Sequence, residues 1–291
     1  MTTAYFLTIA FFVGACVGSF LNVCVARWPR ELSVIRPRSR CPSCGHRLSW
    51  YENIPLASWL ALRARCRCCH EPISIQYPAV ELTVALGWLL AFGHFGLTLE
   101  ALRIAAFGTI LLGIAITDAR YYLIPDGFTV FGLFWVIALS LIGFFIGEPT
   151  HFAGPYDALV GACTGAGMIA IVGWLGEVAL RREAMGLGDV TLMAFVGAAL
   201  GPARALTTVF VGATFAAVVF VVAVYPYVAW TRRSRPRRRA PQQTELALGG
   251  RNGSAAAPLD APLVPFGVFL APAAMVTLLW GDALLAWISG T

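Results

Sequence analysis

Lysine is absent: all 21 basic residues are arginine. Charge of either sign is scarce, at 12% of residues, where a soluble globular chain carries about 25%. With 58% hydrophobic residues and a mean hydropathy of +0.74, that shortage excludes an ordinary soluble domain. It predicts an all-α polytopic membrane protein. Several enzyme signatures are missing too: no G-x-S-x-G elbow, no H-E-x-x-H helix and no phosphate-binding P-loop occur. No basic residue precedes the first apolar run, 4–26, and the arginines begin only at Arg27. A cleaved secretory signal has the reverse layout, so this run predicts a retained first span with its N-terminus outside.

A helix needs about 20 apolar residues to cross a bilayer. About eight transmembrane helices are expected, roughly at 5–26, 78–95, 101–118, 128–146, 156–177, 188–202, 205–230 and 263–288. The sixth is short. With the N-terminus outside, the inside segments are 27–77, 119–127, 178–187 and 231–262. They hold nine, one, two and seven arginines, whereas the outside segments hold only Arg103 and Arg204. Arginine gathers on the cytoplasmic side of membrane spans, so this split sets the orientation. It also explains the net charge of +6 without nucleic acid as a partner. Three regions follow: a first helix (1–26), a polar insert (27–77) and a membrane-embedded remainder (78–291). The remainder contains a second polar segment at about 231–262. Its arginine run and Gly/Ala/Pro-rich sequence predict a disordered cytoplasmic loop within reach of anionic lipid headgroups.

The eight cysteines form two populations. Cys16, Cys24 and Cys163 stand singly in spans and are expected to be small packing residues. The insert holds the other five, in Cys41-Pro-Ser-Cys44-Gly and Cys66-Arg-Cys68-Cys69. Two Cys-x-x-Cys pairs in a cytoplasmic segment predict a four-thiolate structural zinc site, because disulfides are rare there. About fifty residues with few apolar groups build little core, and a metal would supply the missing folding free energy. Cys41, Cys44, Cys66 and Cys69 are the expected ligands, in a small zinc-ribbon-like insert. Cys68, His46 and His70 lie close enough in sequence to compete.

Carboxylates near a span are costly, roughly 2.5–3.5 kcal/mol at a helix centre, and so default to functional candidates. Asp118 closes the third predicted span, Asp126 opens the fourth and Asp189 opens the sixth. The arginine count puts all three at one membrane face. Two carboxyls at one depth can share a proton, one activating water while the other polarises a carbonyl. Gly186 and Gly188, just before Asp189, would let a peptide backbone come close. The plainer possibility is that Asp126 and Asp189 only cap helices. Small residues in Gly14-x-x-x-Gly18 and in Gly161–Gly167 are expected to serve helix packing.

These pieces together resemble the type IV prepilin leader peptidase/N-methyltransferase family, whose members are GxGD-type membrane aspartyl proteases. The resemblance runs through Gly18-Ser-Phe-Leu-Asn22, Arg27-Trp-Pro29, both cysteine pairs, Trp50, Asn53-Ile-Pro55, Ser58, Ile73-Ser74, Tyr77-Pro78 and Glu81. It continues through Asp118–Asp126, Glu183–Asp189 and Pro265-Phe266-Gly267. Thr191 stands where the family usually has a lysine, and the loop at 231–262 is long for it.

The resemblance implies that Asp118 and Asp189 are catalytic, with Asp126 at an accompanying acidic position. It implies cleavage of the leader of type IV prepilins and pseudopilins after a glycine. That reaction takes place at the cytoplasmic face of a bacterial inner membrane and serves type IV pili or type II secretion. It further implies methylation of the new N-terminus from S-adenosylmethionine, associated with the cysteine-bearing insert. No Gly-x-Gly-x-x-Gly follows a predicted strand, so the residues point to no cofactor pocket. The alternatives are a peptidase without methyltransferase activity and a non-enzymatic, metal-stapled membrane adaptor or transporter.

Overall fold

The computed structural model describes residues 2–147, 150–181, 185–226 and 265–290. The predicted loop at 231–262 and Glu183 lie outside the described residues. Among the described residues the regular structure is helical, and pairing of extended segments is limited to two isolated bridges, Arg40 with Arg47 and Arg65 with Pro72.

The helices are α1 (Thr2–Arg27), the short α2 (Ala57–Ala61), α3 (Gln76–Phe95), α4 (Leu99–Tyr121) and α5 (Asp126–Ile146). After them come α6 (Pro155–Leu180), α7 (Leu187–Leu200), α8 (Pro202–Val219, continued by a π-type turn at Phe220–Val224) and α9 (Gly267–Ser289). Seven of these are long and apolar enough to cross a membrane. The chain is therefore multi-pass.

The sixth expected span needs correction. α7 has 14 residues, which at about 1.5 Å per residue reach only about 21 Å of a roughly 30 Å hydrocarbon core. It avoids lipid by being enclosed. Every side chain from Phe195 to Leu200 is buried, as are Leu192 and Met193. α6 and α5 pack along it, and α8 turns back from it through Gly201 alone. That glycine has φ +80°, donates to the Gly197 carbonyl at 2.8 Å and accepts from Ala205 at 3.0 Å. A positive φ here favours glycine, because a Cβ would be strained.

The expected packing glycines meet neighbouring helices. Gly14 and Gly18 of α1 leave room for α3, at Trp88 and at the backbone of Glu81 respectively. Gly161 and Gly165 of α6 do the same for the backbone of α7 at Gly197 and Met193. Of the three single cysteines, only Cys24 is a core residue; Cys16 and Cys163 are exposed. The apolar centre is built on Phe107 of α4, which packs on Phe195 of α7 and on Phe152 in the α5–α6 connection, with ring centroids 5.1 and 5.8 Å apart.

α4 orients the molecule. Its first turn holds Glu100 and its last holds Asp118. The two predicted outside arginines belong to the Glu100 end. There Arg103 donates to Thr150 at 2.8 Å, and Arg204 binds Asp282 at 2.6 Å. Glu100 itself accepts from the Thr150 hydroxyl at 2.6 Å and from the His151 amide at 2.8 Å.

Candidate active site

Three segments remote in sequence converge at the opposite end of α4. The helix stops in a left-handed turn at Tyr122, whose N–H returns to the Asp118 carbonyl. The chain then runs through Leu123-Ile124-Pro125, where proline cannot donate and α5 begins. Ile124 is buried. A Cβ added to Gly188, just before Asp189, would stand 3.0 Å from the Ile124 Cβ. A Cβ added to Gly267, at the start of α9, would stand 3.1 Å from its Cδ1 and 2.9 Å from Asp118 Oδ2. Ile124 thus wedges between the two glycines and gathers the starts of α7 and α9 around Asp118.

Asp118 is 5% exposed, and its Oδ2 accepts the Val268 amide at 3.1 Å. Asp189 sits half-buried in the first turn of α7, where its own amide donates to the Gly186 carbonyl at 3.1 Å. Asp189 lies within electrostatic reach of Asp118. The helix-capping alternative fails on geometry. The N-cap residues of α5 and α7 are Pro125 and Gly186, and neither helix has a side-chain cap. Asp126 lies one helix start away with its side chain exposed. Thr191 turns inward on its own helix, its hydroxyl donating to the Gly188 carbonyl at 3.0 Å.

Sequence reasoning placed the two aspartates at one face but missed what seats them. Ile124, Gly267 and Val268 are the residues that do so. The signal was present in the apolar Leu-Ile-Pro between two acidic positions, and in a glycine at the head of the last span.

The insert brings its four expected thiols together. Sγ atoms of Cys41, Cys44, Cys66 and Cys69 all lie within 4.8 Å of one another, and Cys41 stands 3.8 Å from Cys69. A tetrahedral zinc with bonds of about 2.3 Å requires sulfurs roughly 3.8 Å apart, so the donor set fits that ion. Two turns of like hydrogen bonding present them. Cys41 N donates to His46 O at 2.9 Å, and Cys66 N donates to Glu71 O at 2.8 Å. Gly45 N returns to Cys41 O, and His70 N to Cys66 O, both at 3.0 Å. The amides of Cys44 and Ser43 point at the Cys41 sulfur and pull its pKa down to about 6. The neighbouring thiols push Cys44 up to about 12 and raise Cys69, so without a cation the crowded cluster holds its negative charge on one sulfur.

The competing ligands are used otherwise. Cys68 is exposed and outside the cluster, and His70 takes the left-handed turn at φ +58°. His46 faces Glu52 at 3.3 Å. Glu52 also closes a capping box with Ser49, whose amide it accepts at 2.8 Å, and these partners lower its pKa.

The insert is tied to the bundle at both its ends. Glu81 of α3 accepts the Leu56 amide at 2.8 Å, beside the first turn of α3 that Asn22 of α1 holds by donating to the Tyr77 carbonyl at 3.0 Å. Arg27 donates to the carbonyls of Ser33 and Pro37 at 2.9 and 2.8 Å. Between α1 and the insert lies a cavity of about 450 Å³ whose wall includes Phe20, Arg27, Arg38, Ser49, Trp50 and Asn53. It lies on the side of the bundle that holds the aspartates, because Trp28 packs over Gly127 and edge-on to Phe128 at 4.4 Å, beside Asp126.

Comparison with known proteins gives a consistent result. Residues 12–95 match the bacterial peptidase A24 N-terminal domain, and residues 104–222 match the type IV leader peptidase family. A prepilin leader peptidase/N-methyltransferase of Myxococcus xanthus is 44% identical over 195 residues, which cover 67% of this chain and 56% of that protein. Proteins of the same name from Pseudomonas putida and Stutzerimonas stutzeri are 31% and 32% identical. Their alignments cover 98% and 97% of this chain, and 94% and 93% of those proteins. No solved structure matches.

Proposed function

Because the chain belongs to the type IV leader peptidase family, we propose that it cuts the leader from prepilin-type substrates and then methylates the new N-terminal amine. The observation that carries the reading is the convergence of Asp118 and Asp189, from α4 and α7, around Ile124. The pair shares one proton, since like charges at close range do not both ionise cheaply. The ionised carboxylate takes a proton from water as the water oxygen bonds to the scissile carbonyl carbon. The protonated carboxyl hydrogen-bonds the carbonyl oxygen and stabilises the charge gathering there. The carbon–nitrogen bond then breaks, and the nitrogen leaves with a proton returned by the pair. No covalent acyl intermediate forms. Asp126, Gly186 and Gly188 support the site from its rim.

The substrate's apolar segment stays in the bilayer, and its leader lies at the cytoplasmic face of a bacterial inner membrane. The arginine distribution supports that orientation, with the N-terminus outside. Zinc, held by Cys41, Cys44, Cys66 and Cys69, stabilises the insert; four thiolates leave no open position for catalysis.

S-adenosylmethionine, when bound, supplies a methyl group on a sulfonium. That group would go to the new N-terminal amine of the substrate. The cavity between α1 and the insert offers arginine for a carboxylate, the Trp50 ring for a base and Ser49 and Asn53 for hydroxyls.

The test uses the full chain in proteoliposomes with a purified prepilin. Asp118→Asn and Asp189→Asn should each lower cleavage on the order of 10³-fold or more. Asp126→Asn should cost far less. Mass spectrometry of the product should find a methylated N-terminus. Processing at the parental rate by either asparagine variant would overturn the protease reading. An unmethylated product with cleavage intact would remove the second activity alone.

A further inference from the structure

The segment Pro265-Phe266-Gly267 has no assigned task, although it opens the last span. Within α9, the first intrahelical bonds run from Phe269 and Leu270 back to the Phe266 carbonyl, at 3.0 and 3.1 Å. The amides of Gly267 and Val268 therefore fall among the orphan donors of a helix start. The Val268 amide is directed at Asp118 Oδ2, 3.1 Å away. Gly267 packs against the same oxygen so closely that a Cβ would sit 2.9 Å from it and 3.3 Å from Cγ. That carboxyl is 5% exposed, so the donor and the close backbone fix its rotamer in a site with little water.

We propose that Gly267 and Val268 are positioning residues that hold Asp118 as the ionised, water-activating member of the pair, leaving Asp189 to carry the shared proton. Amide donors and the positive end of a 23-residue helix favour a carboxylate over a carboxylic acid, and at Asp118 they oppose the negative end of α4, in whose last turn it stands. Among the described residues, the other acidic group in electrostatic contact is Asp189, half-buried in the first turn of α7; its carboxyl meets the single amide of Gly186 at its own helix start, whereas Asp118 receives the amides of both Val268 and Gly267. Oδ2 of Asp118 is committed to Val268, which leaves Oδ1 to accept the water proton. The Asp189 proton is lent to the carbonyl oxygen and returns when the carbon–nitrogen bond breaks. The proposal rests on the protease reading above and adds a division of labour to it.

The experiment compares kcat, KM and Tm of the full-length protein for Gly267→Ala, Val268→Pro and Val268→Ala on a purified prepilin. Gly267→Ala pushes a methyl against Oδ2. Val268→Pro deletes the donor in a first helical turn, where proline is tolerated. Both should lose roughly ten- to a hundred-fold in kcat, the size of a charge-assisted hydrogen bond, with KM and Tm close to parental. Val268→Ala keeps the N–H and should recover all but about twofold of that loss. If Val268→Pro fails to fold, Gly267→Ala decides alone. Parental kcat in Gly267→Ala, or losses of Tm that track the losses of kcat, overturns the proposal. An active Asp118→Asn run beside them sinks the protease reading instead.

Discussion

Gly161 of α6 and Gly197 of α7 meet backbone to backbone, so that a Cβ on either would run into the other's carbonyl oxygen. One helical turn further on, a Cβ on Gly165 would run into the Met193 carbonyl oxygen in the same way. This contact sets the depth of the short helix whose first turn carries Asp189.

Gly161→Val should force the two helices apart. Overpacking of a tight core costs typically 1–3 kcal/mol, and here the displaced element bears a candidate catalytic side chain. Both Tm and cleavage should fall, cleavage by an order of magnitude or more. Gly167→Ala is the control, since a Cβ there meets nothing within 4 Å. Thermal denaturation and a cleavage assay of the two variants decide it. Equal behaviour would mean that the glycine contact does not set the position of α7.

Much of this arrangement was legible in the chain. Arginine counting placed Asp118, Asp126 and Asp189 at one face, because basic residues report sidedness directly. Two Cys-x-x-Cys pairs named four thiols, because a chelate needs that spacing. The true length of α7 was hidden: hydropathy measures how apolar a stretch is, and a helix buried in protein is as apolar as one in lipid. Cys68 stayed a competitor for Cys69 in the sequence, since Cys66-x-Cys68 and Cys66-x-x-Cys69 differ only in which sulfur the turn aims inward. The seat built by Ile124, Gly188 and Gly267 depends on contacts across almost 150 positions, and no local pattern carries it.

Removing metal should melt the insert and spare the bundle. The purified protein should hold about one zinc per chain, by elemental analysis. Cys66→Ser should lose it, because Cys66 is one of the four clustered thiols and is itself buried. Cys68→Ser should keep it. Chelation should open residues 31–70 to protease while the helices stay intact, since binding free energy in such sites is folding free energy. Full zinc occupancy in Cys66→Ser would reject the assigned ligand set.

Sidedness can be read from the same cysteines. Cys68 is exposed and outside the cluster, so bound metal should not shield it. With the proposed orientation, a membrane-impermeant maleimide should modify it only after the membrane is permeabilised. Labelling of Cys68 in intact spheroplasts would invert the orientation and move the aspartates to the other face.

The far end of α4 should govern stability without governing catalysis. Buried Glu100 accepts from the Thr150 hydroxyl, the His151 amide and the His151 ring, at 2.6, 2.8 and 3.0 Å. It thereby ties the start of α4 to the connection between α5 and α6. Glu100→Ala leaves these donors without their acceptor, a cost of about 1–3 kcal/mol or more, so Tm should fall by several degrees. Asp118 lies 18 residues further along the same helix, about 27 Å away at 1.5 Å per residue, with the packed Phe107 layer between. The kcat for cleavage below the new Tm should therefore stay within about twofold of the parent. A loss of kcat as steep as the loss of stability would mean that the two ends of the helix move as one unit. The outer clamp would then be part of how the inner pair is held.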